Sequence, residues 1–148
     1  KMTFMKYCRY IQAALRGSKI YYMFKDGEVL GYCLLEPGGG RYRFTLKSDA
    51  IIAPYVINPN KRGYGYGTTL LKFICEHICA GKRVVAMVKN DNYASLIVMN
   101  KVGFVLISHA YNQGLLHKYI LTDNENAEFS VFVFNTEKRG ISNEVTCI

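Results

Sequence analysis

A glycine-rich segment in the middle of the chain combines the residue types that bind phosphate groups. From Asn58 to Thr68 it reads NPNKRGYGYGT, with glycines at alternate positions and two adjacent cations, Lys61 and Arg62. Because glycine has no Cβ and accepts unusual dihedral angles, several consecutive N–H groups can converge on one anion at the positive end of a helix. The two cations would add charge-assisted contacts. The segment therefore predicts an anion-binding loop.

Two familiar phosphate loops do not fit this segment. The Walker loop of nucleoside triphosphatases ends in Gly-Lys-Ser/Thr, and the dinucleotide fingerprint has its third glycine three positions after the second. Here the glycines read GYGYGT. Neither pattern is met, so the loop indicates a phosphorylated ligand of another kind.

Apolar patterns predict the elements that position this loop. Ala50 to Ile57 is a nearly continuous apolar run, typical of a strand covered on both faces, in which Pro54 requires a bulge or a missing ladder bond. After the loop, an apolar stripe from Leu70 to Ile78 predicts a helix that ends at Gly81. The other predicted elements are a helix at 4–16, a hairpin of Ile20–Phe24 and Val29–Leu35 around Asp26-Gly27, a strand at Arg83–Val88, a helix from Asp91 or Asn92 to about Lys101 with Gly103 as its stop, and strands at Phe104–Ser108 and Leu115–Leu121.

The order of these elements predicts the fold class. A strand, a crossover helix and a second strand of this length favour a parallel pair. We predict an α+β protein, loosely of α/β type, with a mixed, partly parallel central sheet flanked by helices. The length of 148 residues predicts a single domain over residues 1–148. Residues 122–148 are interpreted as a C-terminal extension of unexplained role, with an extra strand at Phe129–Phe134.

Composition narrows the class of protein. Half of the residues are hydrophobic and 20% are charged, which disfavours a disordered or fibrous protein. No apolar run approaches the roughly 18 residues of a membrane span, and no signal peptide is recognisable, so we expect no membrane partner. Five cysteines without a secretory signal indicate reduced thiols in the cytoplasm. Cys75, His77 and Cys79 have no second cluster of ligands elsewhere, so we expect no metal.

The net charge of +8 requires an anionic partner, and charge alone does not identify it. In residues 1–48 the nine Lys and Arg residues are scattered singly, which favours a solvated surface over a nucleic-acid patch. A nucleic-acid-binding domain is therefore a third interpretation that rests only on charge and tyrosine content. We expect no nucleic-acid partner.

The glycine loop resembles the acyl-CoA pyrophosphate loop of the GNAT superfamily of N-acyltransferases. That family's pattern, Arg/Gln-x-x-Gly-x-Gly/Ala, is matched by Arg62, Gly65 and Gly67, and the run from Tyr55 to Pro59 looks like the family's strand end. A second match, NYASLIVMNKVGF at 92–104, is similar to the family's Asn-x-x-Ala/Ser helix that ends in Lys-x-Gly-Phe. The resemblance spans roughly residues 20–121, and the family's usual first strand is missing before the N-terminal helix.

The resemblance implies a co-substrate, acetyl-CoA, bound in a splay between two parallel strands. The pantetheine arm would pair with the backbone of Val56 and Ile57 and would contact Asn92. The implied activity is transfer of an acetyl group to a primary amine of a small molecule or peptide by direct attack. The pyrophosphate would be held by Arg62, Gly63, Tyr64, Gly65, Tyr66, Gly67 and Thr68.

The chain departs from the family at one catalytic position. In the family, a helix tyrosine commonly protonates the departing CoA thiolate, and here Met99 occupies that position. Because a free thiol has a pKa of about 8.5, the thiolate can leave near neutral pH without a mandatory acid. Ser95 lies one helical turn before Met99, and His109 and Tyr111 follow the strand predicted after Gly103, where either could face the acceptor. These three side chains are the candidates for the acid role.

Two classes of function remain open. The first is an active N-acetyltransferase, and the alternative is a CoA-binding regulatory or degenerate module without turnover. Met99 favours the alternative, as does the strand before the loop, which offers no carboxylate as general base except Asp49 at its start. The loop at 38–40 is followed by a short piece at 42–46 that we predict to be irregular. The acceptor would be set by the N-terminal helix, the loop at 38–40 and the C-terminal extension. Exposed strand edges would allow a homodimer.

Overall fold

The computed structural model describes residues 17–39, 42, 44–112, 119–122 and 128–136. Over these ranges, seven strands form one mixed sheet in the order β1-β2-β3-β4-β7-β5-β6. The predicted helix at 4–16 and the first half of the predicted strand Leu115–Leu121 lie outside the described residues. The strands are β1 (Lys19–Lys25), β2 (Glu28–Pro37), β3 (Ala50–Ile57), β4 (Arg83–Lys89), β5 (Val105–Asn112), β6 (Tyr119–Thr122) and β7 (Phe129–Asn135).

Two helices connect the strands at the centre of the sheet. Helix α1 (Tyr66–Phe73) continues into a π-helical turn (Ile74–Ile78), and α2 (Tyr93–Val102) ends at Gly103 with a φ of 99°. That left-handed stop is the predicted one. Neither helix is long and apolar enough to cross a membrane, and the same holds for every helix in the described part of the chain.

The hairpin of β1 and β2 confirms the Asp-Gly turn signal. Asp26 and Gly27 have φ angles of 51° and 78°, and Lys25 pairs with Glu28 across the turn. Two successive positive φ angles are the feature of the type I′ turn, whose twist matches that of two paired strands. The short turn therefore fixes the register of the hairpin and places β2 beside β3.

The parallel pair of β3 and β4 separates after a short stretch. Ala50, Ile51 and Ile52 pair with Val84, Val85 and Ala86, and no further pairs follow although both strands continue. On its other side, β3 shifts register against β2 between Cys33 and Leu35, next to Pro54. A bulge bends its strand, and proline cannot donate to a ladder. The predicted bulge is therefore confirmed, and it lies where β3 diverges from β4.

β7, the last strand in the described part of the chain, lies inside the sheet. β7 pairs antiparallel with β4 along its whole length and with β5 on its other side. Val131 is fully buried and Phe134 is 3% exposed. The strand predicted at Phe129–Phe134 is confirmed, but it is an interior strand and not part of an appended extension. Local pattern could not assign this place, because it depends on pairing with residues far away in the chain.

The core has one layer on each face of the sheet. Both helices pack on one face, where Leu71, Ile74 and Met99 meet Val84 and other strand residues. A second cluster of Val85, Val131 and Val133 lies on the opposite face. β4 is thus covered on both faces, which explains its apolar sequence. The mixed sheet with helices packed on it confirms the predicted fold class.

The three described cysteines are buried and should be unreactive in the native protein. Burial, followed by the nearby Cys79, raises the pKa of Cys33 to about 12, and burial also raises the pKa of Cys79. Since the thiolate is the reactive form, we expect alkylation of Cys33, Cys75 and Cys79 only after unfolding. Peptide mapping after iodoacetamide treatment, with and without denaturant, measures this. Labelling of Cys33 in the folded protein would contradict the burial.

Candidate functional site

The glycine loop begins α1 in a way that leaves backbone donors without intrahelical partners. Gly63 and Gly65 have φ angles of 85° and 81°, which glycine adopts without the strain of a side chain. Gly65 is the N-cap of α1 and makes no side-chain cap hydrogen bond. The first helical bond runs from Thr69 N to Gly65 O at 3.0 Å. The N–H groups of Tyr66, Gly67 and Thr68 therefore point out of the helix end, towards any anion bound there.

The two cations beside the loop have different partners. Lys61 Nζ lies 2.8 Å from Glu28 Oε2, and the hydrogen bond and charge of Glu28 raise the pKa of Lys61. Arg62 Nε donates to the carbonyl oxygen of Ile57 at 3.3 Å, and the Arg62 side chain is exposed. Lys61 thus connects the loop to the β1–β2 hairpin. Arg62 is the cation that lies beside both the loop and the end of β3.

A cleft of about 370 Å³ opens where β3 and β4 separate. Ile52, Ala86 and Met99 line it from the face that carries the helices. Met87 and Phe129 also line it, and they pack with the cluster on the opposite face. The cleft therefore passes between the two strands and is bounded by residues of both faces. Two ligands could meet in it from opposite sides of the sheet.

The end of β3 presents backbone groups to this cleft. Asn58 N donates to Leu30 O at 2.8 Å, which fixes which peptides of β3 face β2. Since successive peptides alternate along a strand, Val56 faces β2, whereas Tyr55 and Ile57 face the side where β4 has diverged. Of the two residues predicted for backbone contacts, Val56 pairs with Tyr32 of β2 and Ile57 faces away from β2, and neither belongs to the described lining of the cleft. The alternation adds Tyr55, whose backbone N–H and C=O also face away from β2 and which lines the cleft.

Asn92 lies at the cleft and caps α2. Its Oδ1 accepts a hydrogen bond from Ser95 N at 3.2 Å, so the predicted N-cap is confirmed. The side chain also lines the cleft. Because the cap uses the oxygen, the amide nitrogen keeps its two hydrogens for a ligand.

Ser95 also lines the cleft, where its hydroxyl meets that of Tyr55. Tyr55 OH donates to Ser95 Oγ at 3.0 Å, joining β3 to α2. Burial raises the pKa of Tyr55; the Ser95 hydrogen bond opposes this effect only in part, and Cys33 adds to it. The phenol is therefore protonated at neutral pH. Sequence reasoning missed Tyr55 because its partner is 40 residues away and no local motif marks the pair.

The other proton-transfer candidates lie elsewhere or outside the described side chains. His109 Nδ1 is 3.3 Å from Ser130 Oγ, which donates to Asn90 Oδ1 at 2.7 Å. β5, which carries His109, is separated from β4 by β7, and His109 is not part of the cleft lining. Tyr111 belongs to β5 by its backbone, opposite Ile120 of β6. The Tyr111 side chain is outside the described residues. Met99 is 1% exposed and forms part of the cleft wall.

The segment between β2 and β3 adds Tyr42 to the cleft. Among residues 38–39, 42 and 44–49 of this segment, the structure describes turns and bends and no strand, which agrees with the predicted irregular piece. Thr45 Oγ1 donates to Tyr42 O at 2.7 Å and accepts from Gly39 N at 3.0 Å. Tyr42 is 8% exposed and lines the cleft with its ring near that of Phe44. Sequence reasoning named only the loop and not this residue.

Asp49 is paired with Arg83 and is not among the described residues that line the cleft, so it is not placed to act as a general base there. It forms a bidentate pair with Arg83, with distances of 3.0 Å from Nε to Oδ1 and 2.6 Å from Nη2 to Oδ2. Burial alone raises the pKa of Asp49, but hydrogen bonds from Arg83 and Leu46 N–H, with the charge of Arg83, outweigh it and hold the pKa below its usual value. Asp49 is therefore a structural carboxylate at the start of β3.

A mixed sheet that parts between two parallel strands, beside a glycine loop that opens a helix, is the fold of the acetyltransferase class. The model of the Acetyltransferase (GNAT) family matches residues 2–104. The chain therefore belongs to the GNAT family of acetyltransferases. A comparison with curated protein sequences gives no match.

Solved structures share the fold at low sequence identity. An acetyltransferase from Thermus thermophilus superimposes with a TM-score of 0.64 at 16% identity, over 90% of this chain and 75% of that one. The yncA protein of Salmonella typhimurium, solved with its cofactor acetyl-CoA, gives 0.59 at 19% identity, over 87% and 70%. Spermidine N-acetyltransferase from Vibrio cholerae, in complex with CoA and spermine, gives 0.63 at 12% identity, over 93% and 78%. These similarities establish the fold.

Proposed function

We propose that this protein transfers an acetyl group from acetyl-CoA to a primary amine of a small molecule or peptide, by direct attack of the amine on the thioester. The observation that carries the proposal is the cleft between β3 and β4, which lies beside the outward-pointing N–H groups of the glycine loop. Such a cleft brings two reactants together from opposite faces of the sheet.

The residues at this site suit acetyl-CoA. Three N–H groups at the start of α1, with no Cβ at Gly65 or Gly67, leave room and donors for a pyrophosphate. The backbone of Ile57 and Tyr55 and the amide of Asn92 would hold the pantetheine arm. Bound acetyl-CoA would supply an activated acyl group as a thioester. The proposed co-substrate contacts are Val56, Ile57, Arg62, Gly63, Tyr64, Gly65, Tyr66, Gly67, Thr68 and Asn92. Because Val56 pairs with Tyr32 of β2, its contribution would be to hold the end of β3 in position.

The acceptor would enter from the face opposite the helices. Ile51, Met87 and Phe129 line the cleft there, with Tyr42 from the neighbouring loop. Structural relatives are named for spermidine and aminoglycoside acetylation, and these names support a primary amine as the acceptor class. Direct attack needs the unprotonated amine near the thioester carbon and no covalent enzyme intermediate.

The alternative function is a CoA-binding regulatory module without turnover. Met99 occupies the position of the family's tyrosine and is buried, so it offers no proton. The described part of β3 beside the cleft carries no carboxylate, and Asp49 is paired with Arg83. This alternative predicts binding of acetyl-CoA and no thiol release with any amine.

The location of the protein, its oligomeric state and its number of domains are expectations. Reduced, buried cysteines agree with a cytoplasmic protein. β1 and β6 are the two edges of the sheet, and either edge could pair with a second copy in a homodimer. That residues 1–148 form one domain stays a prediction.

Calorimetric titration with acetyl-CoA tests the proposed co-substrate, and a thiol-release assay tests the transfer. We expect saturable binding, and thiol release with at least one amine of a panel that includes spermidine, an aminoglycoside and a peptide with a free N-terminus. The matched control is ATP, which carries phosphates and adenine but no pantetheine arm, and which should bind more weakly. Absence of acetyl-CoA binding would overturn the proposal, and binding without release would favour the regulatory module.

A further inference from the structure

The hydroxyls of Tyr55 and Ser95 form a hydrogen-bonded pair inside the cleft. Tyr55 OH lies 3.0 Å from Ser95 Oγ, and both residues line the cleft. Ser95 is one helical turn before Met99, so the two side chains share a face of α2. The pair therefore lies next to the position where the family's proton donor would be.

Contacts on both sides fix the position of the Tyr55 ring. A Cβ built on Gly67 would lie 3.5 Å from Tyr55 Cε2, so the ring lies against the first turn of α1. On the strand, Tyr55 is opposite Cys33, which is fully buried. The ring thus spans from β3, past the glycine loop, to α2. Its hydroxyl is thereby held where it donates to Ser95 Oγ.

The hydrogen-bond inventory of the pair leaves one proton for a ligand. A tyrosine hydroxyl has a single hydrogen, and here it is donated to Ser95. The serine keeps its own hydrogen, for which the described residues supply no acceptor. The backbone N–H of Ser95 is bound to Asn92 Oδ1, which fixes the residue in the first turn of α2. Ser95 O–H is therefore available to an acceptor atom inside the cleft.

We propose that Ser95 protonates the sulfur that leaves acetyl-CoA, and that Tyr55 is the positioning residue that orients the Ser95 hydroxyl and restores its proton. This inference rests on the proposed function. In the step, the acceptor nitrogen forms the C–N bond and the C–S bond breaks, with its electron pair remaining on sulfur. The sulfur takes the Ser95 proton, Ser95 takes the Tyr55 proton, and solvent returns to Tyr55 the proton that the acceptor nitrogen loses.

This arrangement explains how the chain could dispense with the family's helix tyrosine. The phenol would come from β3 instead of α2, and the serine would carry the proton across the gap beside Met99. A positioned acid contributes about 100- to 10,000-fold in general. A thiol is itself a fairly good leaving group, with a pKa of about 8.5, so the contribution here falls at or below the lower end of that range.

The kinetic test uses Tyr55→Phe, Ser95→Ala and the double variant. We expect each single variant to lower kcat about 10- to 100-fold, and the double variant to fall no further, because the two hydroxyls act as one unit. The Kd for acetyl-CoA should stay within about threefold, since neither change removes a phosphate contact. Tyr22→Phe, which changes an exposed tyrosine on β1, is the matched control and should leave kcat unchanged.

A second readout does not depend on turnover. The pKa of the thiol of bound CoA can be measured from thiolate absorbance during a pH titration. A hydrogen bond from Ser95 stabilises the thiolate, so Ser95→Ala should raise this thiol pKa, and Tyr55→Phe should raise it in the same direction. Reduced unfolding free energy with an unchanged thiol pKa would identify a structural pair and would overturn the inference.

The outcomes separate this inference from the proposed function. Wild-type protein that binds acetyl-CoA and releases thiol, with variants that keep full kcat, would overturn the role of the pair alone. Wild-type protein that fails to bind acetyl-CoA would overturn both. Additive losses in the double variant would also contradict a single relay, because independent residues add.

Discussion

Gly65→Asp should lower the affinity for acetyl-CoA by at least about 100-fold, which corresponds to about 2.7 kcal/mol. Gly65 caps α1 with a φ of 81°, and no atom lies within 4 Å of a Cβ built there. An aspartate at this position would accept the N–H groups of the first turn and would place a negative charge where the pyrophosphate binds. Calorimetric titration with acetyl-CoA measures the loss.

The same substitution should leave the fold intact, which makes the result interpretable. Aspartate is a favoured N-cap residue and tolerates a left-handed backbone better than most side chains. Gly65→Asn, without the charge, should lose only about tenfold, so the difference between Asn and Asp measures repulsion of the phosphates. Gly81→Asp, at a φ of 75° with equally open space, imposes the same change away from the loop and should bind normally. Normal binding by Gly65→Asp would contradict the pyrophosphate site.

Arg83→Met should lower the free energy of unfolding by about 2–3 kcal/mol near neutral pH. The Asp49 side chain is 1% exposed, so removal of Arg83 leaves a buried carboxylate with Leu46 N–H as its remaining partner. Loss of one partner from a fully buried pair costs about 3–5 kcal/mol, and the value is reduced here because Arg83 is 34% exposed. Urea denaturation at equilibrium measures the change. Asp49→Asn combined with Arg83→Met removes both charges and should recover part of the loss.

The contribution of this ion pair should depend on pH in a defined direction. The pKa of Asp49 is lowered in the folded protein, so its stabilisation is complete above the unfolded value of about 3.9 and is lost as pH falls through the folded pKa. The difference in unfolding free energy between wild type and Arg83→Met should therefore shrink in acid. A difference that is constant down to low pH would show that lost packing of the Arg83 side chain, and not charge, is responsible.

Elements with a strong local pattern could be predicted from the sequence. The strand at Ala50–Ile57 agrees with β3 at both ends, and Gly103 ends α2 as expected. Apolar runs, an N-cap asparagine and a glycine stop act within a few residues, so their effect is visible in a short window. The glycine loop belongs to the same category, because its dihedral angles are properties of single residues.

Features that depend on distant residues could not be predicted in the same way. Tyr55 meets Ser95 across 40 residues, and Asp49 meets Arg83 across 34. The sequence places His109 after the strand that follows Gly103, but it does not reveal that the sheet order puts β7 between that strand and β4. These relations come from strand pairing and helix packing, whose energies are collective and leave no signature in any one segment.

The interior position of β7 has a consequence for how the chain acquires its structure during synthesis. β7 is the last of the seven strands to leave the ribosome, yet β4 and β5 can join only through it. Until then, the outer edge of β4 has no partner and carries an apolar sequence, which is the kind of edge that pairs with other chains. We therefore expect a chain that lacks β7 to bind chaperones or aggregate more readily than the full sequence, and the sheet to close in a late step of folding.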